Sequence, residues 1–136
     1  LCRSNFVNMK ELALNDCSLS DMSPLEQSNF PKLESLSLGK NKISTISSIN
    51  KLPFPKLQVI MLGYNKITEL NALSKFQSTN LKTLALLDNK ITDLSPLIKI
   101  NAPNLEIISL GNNINNISVL SKCNFPKLKQ LGYFLS

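Results

Sequence analysis

Histidine and tryptophan are absent from the 136 residues, and arginine occurs once, at Arg3, against 14 lysines. Without histidine there is no imidazole acid-base catalysis, no serine or cysteine triad built on histidine and no His-containing zinc site. Glycine is scarce too. Gly39, Gly63 and Gly111 recur singly, never clustered ahead of a helix as a phosphate-cradling loop requires. The cysteines, Cys2, Cys17 and Cys123, are odd in number and form no C-x-x-C. Cys17 and Cys123 fall in repeat columns and predict packing roles, and the set predicts a reducing, intracellular compartment, cytoplasmic or nuclear, rather than a disulfide framework. No apolar run approaches the ~18 residues of a membrane span, and the N-terminal LCRSNFVNMK lacks the apolar core of a signal peptide. Carboxylates could still act as a pair. However, Glu11, Glu34, Glu106, Asp16 and Asp88 are separated by lysines or by long stretches of chain and read as a charge-alternating surface. The chain therefore predicts no catalytic residue, no cofactor and no metal ligand.

What is present is periodicity. LESLSLGKNKIS from Leu33 returns as LQVIMLGYNKIT from Leu57, LKTLALLDNKIT from Leu81 and LEIISLGNNINN from Leu105, with a divergent MKELALNDCSLS upstream from Met9. These starts are each 24 residues apart, and a sixth follows 23 residues later at Leu128, the missing residue falling between Leu110 and Ile114. A fixed period of this length marks a stack of supersecondary units, each burying its apolar face against the next. The array is one domain over residues 1–136: a partial unit 1–8, units from 9, 33, 57, 81 and 105, and a partial unit 128–136. Leu1 sits eight residues before Met9, as Leu25 does before Leu33, and the chain stops inside a predicted strand at LGYFLS. That predicts a fragment of a longer array.

Each unit has two periods. Leu36 and Leu38 alternate as a short strand does, one side in and one out, so one strand per unit predicts a parallel sheet with rungs ~4.8 Å apart. Asn41, Asn65, Asn89 and Asn113, with Cys17 in the first unit, then form a column in which the amide can satisfy turn backbone groups. Beyond it apolar residues recur every third position, as in Ile43, Ile46 and Ile49, a spacing that suits short 3₁₀ turns on the outer side. Ser23-Pro24 and Ser95-Pro96 read as N-cap and first-turn pairs, with Ser23 and Glu26 as a capping box. The Phe-Pro steps Phe30-Pro31, Phe54-Pro55 and Phe125-Pro126 close the unit.

The pattern L-x-x-L-x-L-x-x-N-x-I resembles the leucine-rich-repeat signature over essentially the whole chain. NKITDLSPL is similar to repeats of the internalin and phosphatase-regulator type. The resemblance implies an α/β solenoid: a right-handed arc with six short parallel strands on the concave face and 3₁₀ or short helical turns on the convex face. It also implies a non-enzymatic module that binds a protein partner on the concave face. The role is that of an intracellular scaffold or regulatory subunit, or alternatively a microbial adhesion or effector protein, or the targeting arm of an enzyme.

Small residues, Ala13, Ser37, Ala85 and Ser109, dominate the middle of the predicted sheet face. Val59, Met61, Tyr64, Leu87 and Ile107 interrupt that floor and are the candidate anchors, with Lys82 from the neighbouring charged column. That column, Lys10, Glu34, Gln58, Lys82, Glu106 and Lys129, reads as lateral ion pairing. Two lysine columns line the edges: Lys42, Lys66 and Lys90 after the asparagines, and Lys32, Lys56 and Lys127 before the strands. With one arginine and no interleaved aromatic they read as solvated edges and argue against a nucleic-acid partner. The sequon Asn116-Ile117-Ser118 reads as a chance match in an Asn- and Ser-rich chain.

Overall fold

The two-residue alternation in each unit lasts only three or four residues, and the strands are that short. In the computed structural model they are β1 (Glu11–Ala13), β2 (Ser35–Ser37), β3 (Val59–Met61), β4 (Thr83–Ala85), β5 (Ile107–Leu110) and β6 (Gln130–Tyr133). The structure describes residues 6–111, 114 and 116–133, with Tyr133 by its backbone only. The strands pair in parallel in chain order, β1 to β6, as one six-stranded sheet. Leu12 lies beside Leu36, Leu36 beside Ile60, Ile60 beside Leu84 and Leu84 beside Ile108. Ile108 then pairs with Leu131, so the register absorbs the shortened last unit. Asn113 and the ends of the chain, Cys2 among them, lie outside the described residues.

Behind the sheet, among the described residues, run five 3₁₀ helices, η1 (Ser23–Leu25), η2 (Ser47–Lys51), η3 (Asn71–Lys75), η4 (Ser95–Lys99) and η5 (Ser118–Lys122). With three residues per turn, every third side chain points the same way. Ile49 within η2 faces inward, as do Ile43 and Ile46 from the segment ahead of it, and they meet Leu33, Leu36 and Leu38 from the sheet, each at most 1% exposed. Each leucine so buried contributes about 1.5–3 kcal/mol relative to an exposed one.

Two different devices close each coil. Where the chain leaves the sheet, an asparagine amide clamps neighbouring units. Asn65 Oδ1 accepts the Ile43 N–H at 3.0 Å, while its Nδ2 donates to Leu38 O and Leu62 O, both at 3.0 Å. Asn41 does the same toward the unit before it, accepting from Cys17 and Leu19, and Asn89 accepts from Ile67. Where the chain returns, the Phe-Pro step is a turn with proline at its second position. Leu33 N–H donates to Phe30 O at 3.0 Å and Leu57 N–H to Phe54 O at 3.2 Å. The rings stack behind the turns, Phe6 on Phe30 at 6.2 Å and Phe30 on Phe54 at 5.8 Å between centroids.

Three local expectations are corrected. The N-caps of η1 and η4 are Met22 and Leu94, with serine one position inside. The capping oxygen comes from an aspartate two residues before each serine. Asp21 accepts from the Ser23 N–H and Asp93 from the Ser95 N–H, which holds both carboxyls below their ordinary range. Asp21 is bonded chiefly by the Ser23 hydroxyl and Asp93 chiefly by the Ser95 amide. Glu26 does not complete a capping box; it pairs with Lys51 at 3.6 Å. Asn116 accepts from the Ser118 N–H at 2.8 Å, the same task that Asp93 performs. Cys17 is exposed rather than packed, because in this column the side chain of one unit reaches back to the unit before it, and Asn41 takes the Cys17 backbone. Cys123 does pack against the core, and burial pushes its thiol pKa up.

Candidate functional site

The solvent-facing side of the sheet takes its side chains from the residues flanking each buried strand centre. Val59 lies between Ser35 and Thr83, and Met61 between Ser37 and Ala85. Met61 has only small neighbours on both sides and stands 43% exposed. Leu87 occupies the position that is glycine in the units around it, Gly63 and Gly111. A Cβ on Gly63 would stand 3.2 Å from Leu87 O, so the glycine allows the two units to approach. Tyr64 N–H donates to that same Leu87 O at 2.8 Å. Val59 and Met61 thus lie on β3, Tyr64 three residues past its end and Leu87 two residues past the end of β4. Ile107 is two rungs from Val59, with Thr83 between them, about 10 Å across the sheet.

Tyr64 carries a feature that the repeat pattern did not announce. The residue immediately before Cys17, Asn41, Asn65 and Asn89 turns left-handed: Asp16, Lys40, Tyr64 and Asp88 have φ of 55°, 55°, 58° and 53°. Asp16 and Asp88 are the signal that could have revealed it, since short polar side chains tolerate this conformation best. A bulky aromatic there costs about 1–2 kcal/mol relative to glycine. Tyr64 nevertheless occupies the position and stands 50% exposed.

The charged column pairs at its ends. Lys10 meets Glu34 at 3.5 Å and Lys129 meets Glu106 at 2.9 Å. The Lys129 hydrogen bond, above all, lowers the Glu106 pKa, with Lys82 adding a smaller favourable field. Among the described residues Lys82 makes no ion pair of its own, so it is the cation left available beside the apolar group. No three acidic or thiol side chains converge as a metal site among the described residues. A cavity of about 540 Å³ lies off this face, between the return turns of the second and third units near Pro53, Lys75 and Gln77.

The sequence profile described as Leucine Rich repeats (2 copies) matches residues 7–51 and 55–99. The chain belongs to the leucine-rich-repeat family. Among solved structures, this leucine-rich-repeat chain is similar to internalin C2 from Listeria monocytogenes, at 31% identity and a TM-score of 0.75 over 93% of its length. It spans about half, 52%, of that protein. No curated protein matches the sequence. The internalin-like repeat type read from NKITDLSPL is therefore met both by profile and by shape. Leucine-rich repeats are typically protein-binding modules, and among the described residues no helix is long and apolar enough to cross a membrane.

Proposed function

We propose that this chain is a non-enzymatic recognition module that seats a protein partner on the concave sheet face over β3–β5. Val59, Met61, Tyr64, Leu87 and Ile107 supply apolar contact and Lys82 a charge. The observation that carries the proposal is Tyr64: an aromatic retained in a left-handed position that glycine, asparagine or aspartate would occupy with less strain, and half exposed where it can serve a partner. Met61 beside it is a large, adaptable apolar group held above small neighbours, a second feature that strand propensity does not explain. Interface energy concentrates in a few such anchors. The free thiols Cys17 and Cys123 support a reducing compartment and hence a scaffold or regulatory subunit. The likeness to internalin C2 favours a second reading, a microbial recognition protein, and locating the protein in its source cell separates the two.

The test is capture from a lysate of the source organism by wild type and by the double variant Val59→Lys, Ile107→Lys, both with native circular dichroism. Both side chains are only half-buried, so the fold should survive. The expected result is a protein retained by wild type and lost by the variant. Equal retention would reject this face.

A further inference from the structure

The net charge of +6 is not spread over the coil. The return edge, between the end of each 3₁₀ helix and the next strand, comprises positions 27–32, 51–56, 75–80, 99–104 and 122–127. It holds seven lysines and no acidic residue. Taking these seven from the chain's 15 basic residues leaves eight to balance all nine acids. The entire positive excess therefore sits on one edge.

The helices set the placement. Lys51, Lys75, Lys99 and Lys122 are the last residues of η2, η3, η4 and η5, so they recur once per unit in one column. Five residues further on, Lys32, Lys56 and Lys127 follow the prolines of the return turns and form a second column. All seven are exposed. Among the described residues only Lys51 of the seven forms an ion pair, with Glu26, and Lys127 adds a minor field at Glu106. Lys32 and Lys127 are steadied by neutral amide oxygens, Asn8 Oδ1 at 2.7 Å and Asn104 Oδ1 at 2.6 Å, which fix the ammonium group without cancelling its charge. The cavity of about 540 Å³ opens within this edge, with Lys75, Gln77, Ser78 and Asn80 on its wall. The opposite edge is balanced: Lys40, Lys42, Lys66 and Lys90 share it with Asp16, Asp21, Glu69, Asp88 and Asp93. About five residues of extended chain, the strand and its flanks, roughly 17 Å, separate the two edges, more than the ~10 Å screening length at 0.1 M salt.

We infer that the return edge is a docking surface for an anionic lipid bilayer. Two columns make a two-dimensional array of point charges, which a flat anionic surface can engage at once, whereas a single strand of nucleic acid would follow one column. The edge has no arginine for bidentate phosphate contacts, and its rings Phe30, Phe54 and Phe76 are buried and Phe125 half-buried against the core, so it offers no open platform for base stacking. The same packing leaves little to insert into the hydrocarbon, so adsorption is chiefly electrostatic. Each lysine near an anionic leaflet strengthens partitioning roughly fivefold. The sheet face lies apart from this edge and stays open to its own partner.

The probe is phosphatidylcholine vesicles with and without phosphatidylserine, in co-sedimentation at low and at physiological salt. Retention is expected only with phosphatidylserine, falling as salt rises. Replacing Lys75, Lys99 and Lys122 by glutamine should lower partitioning about a hundredfold, against less than about fivefold for Lys42, Lys66 and Lys90 replaced by glutamine, which removes the same net charge. Amine acetylation of wild type supplies a readout free of any folding defect: vesicles should protect Lys75, Lys99 and Lys122 and leave Lys42, Lys66 and Lys90 reactive. Three results would overturn the inference: no retention on phosphatidylserine, equal effects of the two triples with no selective protection, or tighter binding of a single-stranded oligonucleotide by the same edge.

Discussion

The two edges of the coil perform the same mechanical task with opposite chemistry. The exit edge turns under polar control: each asparagine gathers backbone groups from its own unit and the one before, and the position admits little else. On the return edge the turn is held from behind, by proline geometry and by rings stacked in the core, with Asn80 and Asn104 tying it to Pro55 O and Thr79 O of the unit before, and the lysine side chains are not among its ties to the backbone. Where backbone satisfaction dictates the residue, the surface is uniform. Where an apolar anchor does the holding, the surface is free to acquire a charge of one sign, and here it has done so.

That contrast can be broken from either side. Phe30 is 1% exposed and touches rings above and below it, so Phe30→Ala should show the largest effect, a loss of about 4 kcal/mol in urea unfolding. A loss under about 1 kcal/mol would mean that the ring stack does not hold the return edge. Asn65→Ala strands the Ile43 N–H, while the Leu38 and Leu62 carbonyls keep the amides of Asn41 and Asn89, and should cost about 2 kcal/mol by the same measurement. Hydrogen exchange should show the opening concentrated between the second and third units, whereas uniform loss of protection would contradict a local clamp.

Much of this was legible in the sequence, for a physical reason. Strand position, register and the 3₁₀ turns all follow from which side chains must be buried together, and a strict repeat writes that requirement several times over. The asparagine column was legible because an amide that both donates and accepts is the economical answer to a buried turn. The left-handed position before it was not, because it is a property of the backbone, and Lys40 and Tyr64 disguise what Asp16 and Asp88 disclose. The exposure of Cys17 was not legible, because the repeat writes the column as equivalent in every unit, whereas each clamp points backward along the array. The two lysine edges looked alike in a linear reading. They differ only once the acids are assigned to the edge on which the fold puts them.

The smallest stability change tests the central claim most directly. Tyr64→Asn places a side chain suited to the left-handed backbone in the position of a strained one. Its unfolding free energy and its capture of the partner should be measured on the same preparation. A chain held together by its repeats but functional through Tyr64 becomes about 1 kcal/mol more stable and loses its partner. Partner capture equal to wild type, at whatever stability, would contradict the assignment of the sheet face.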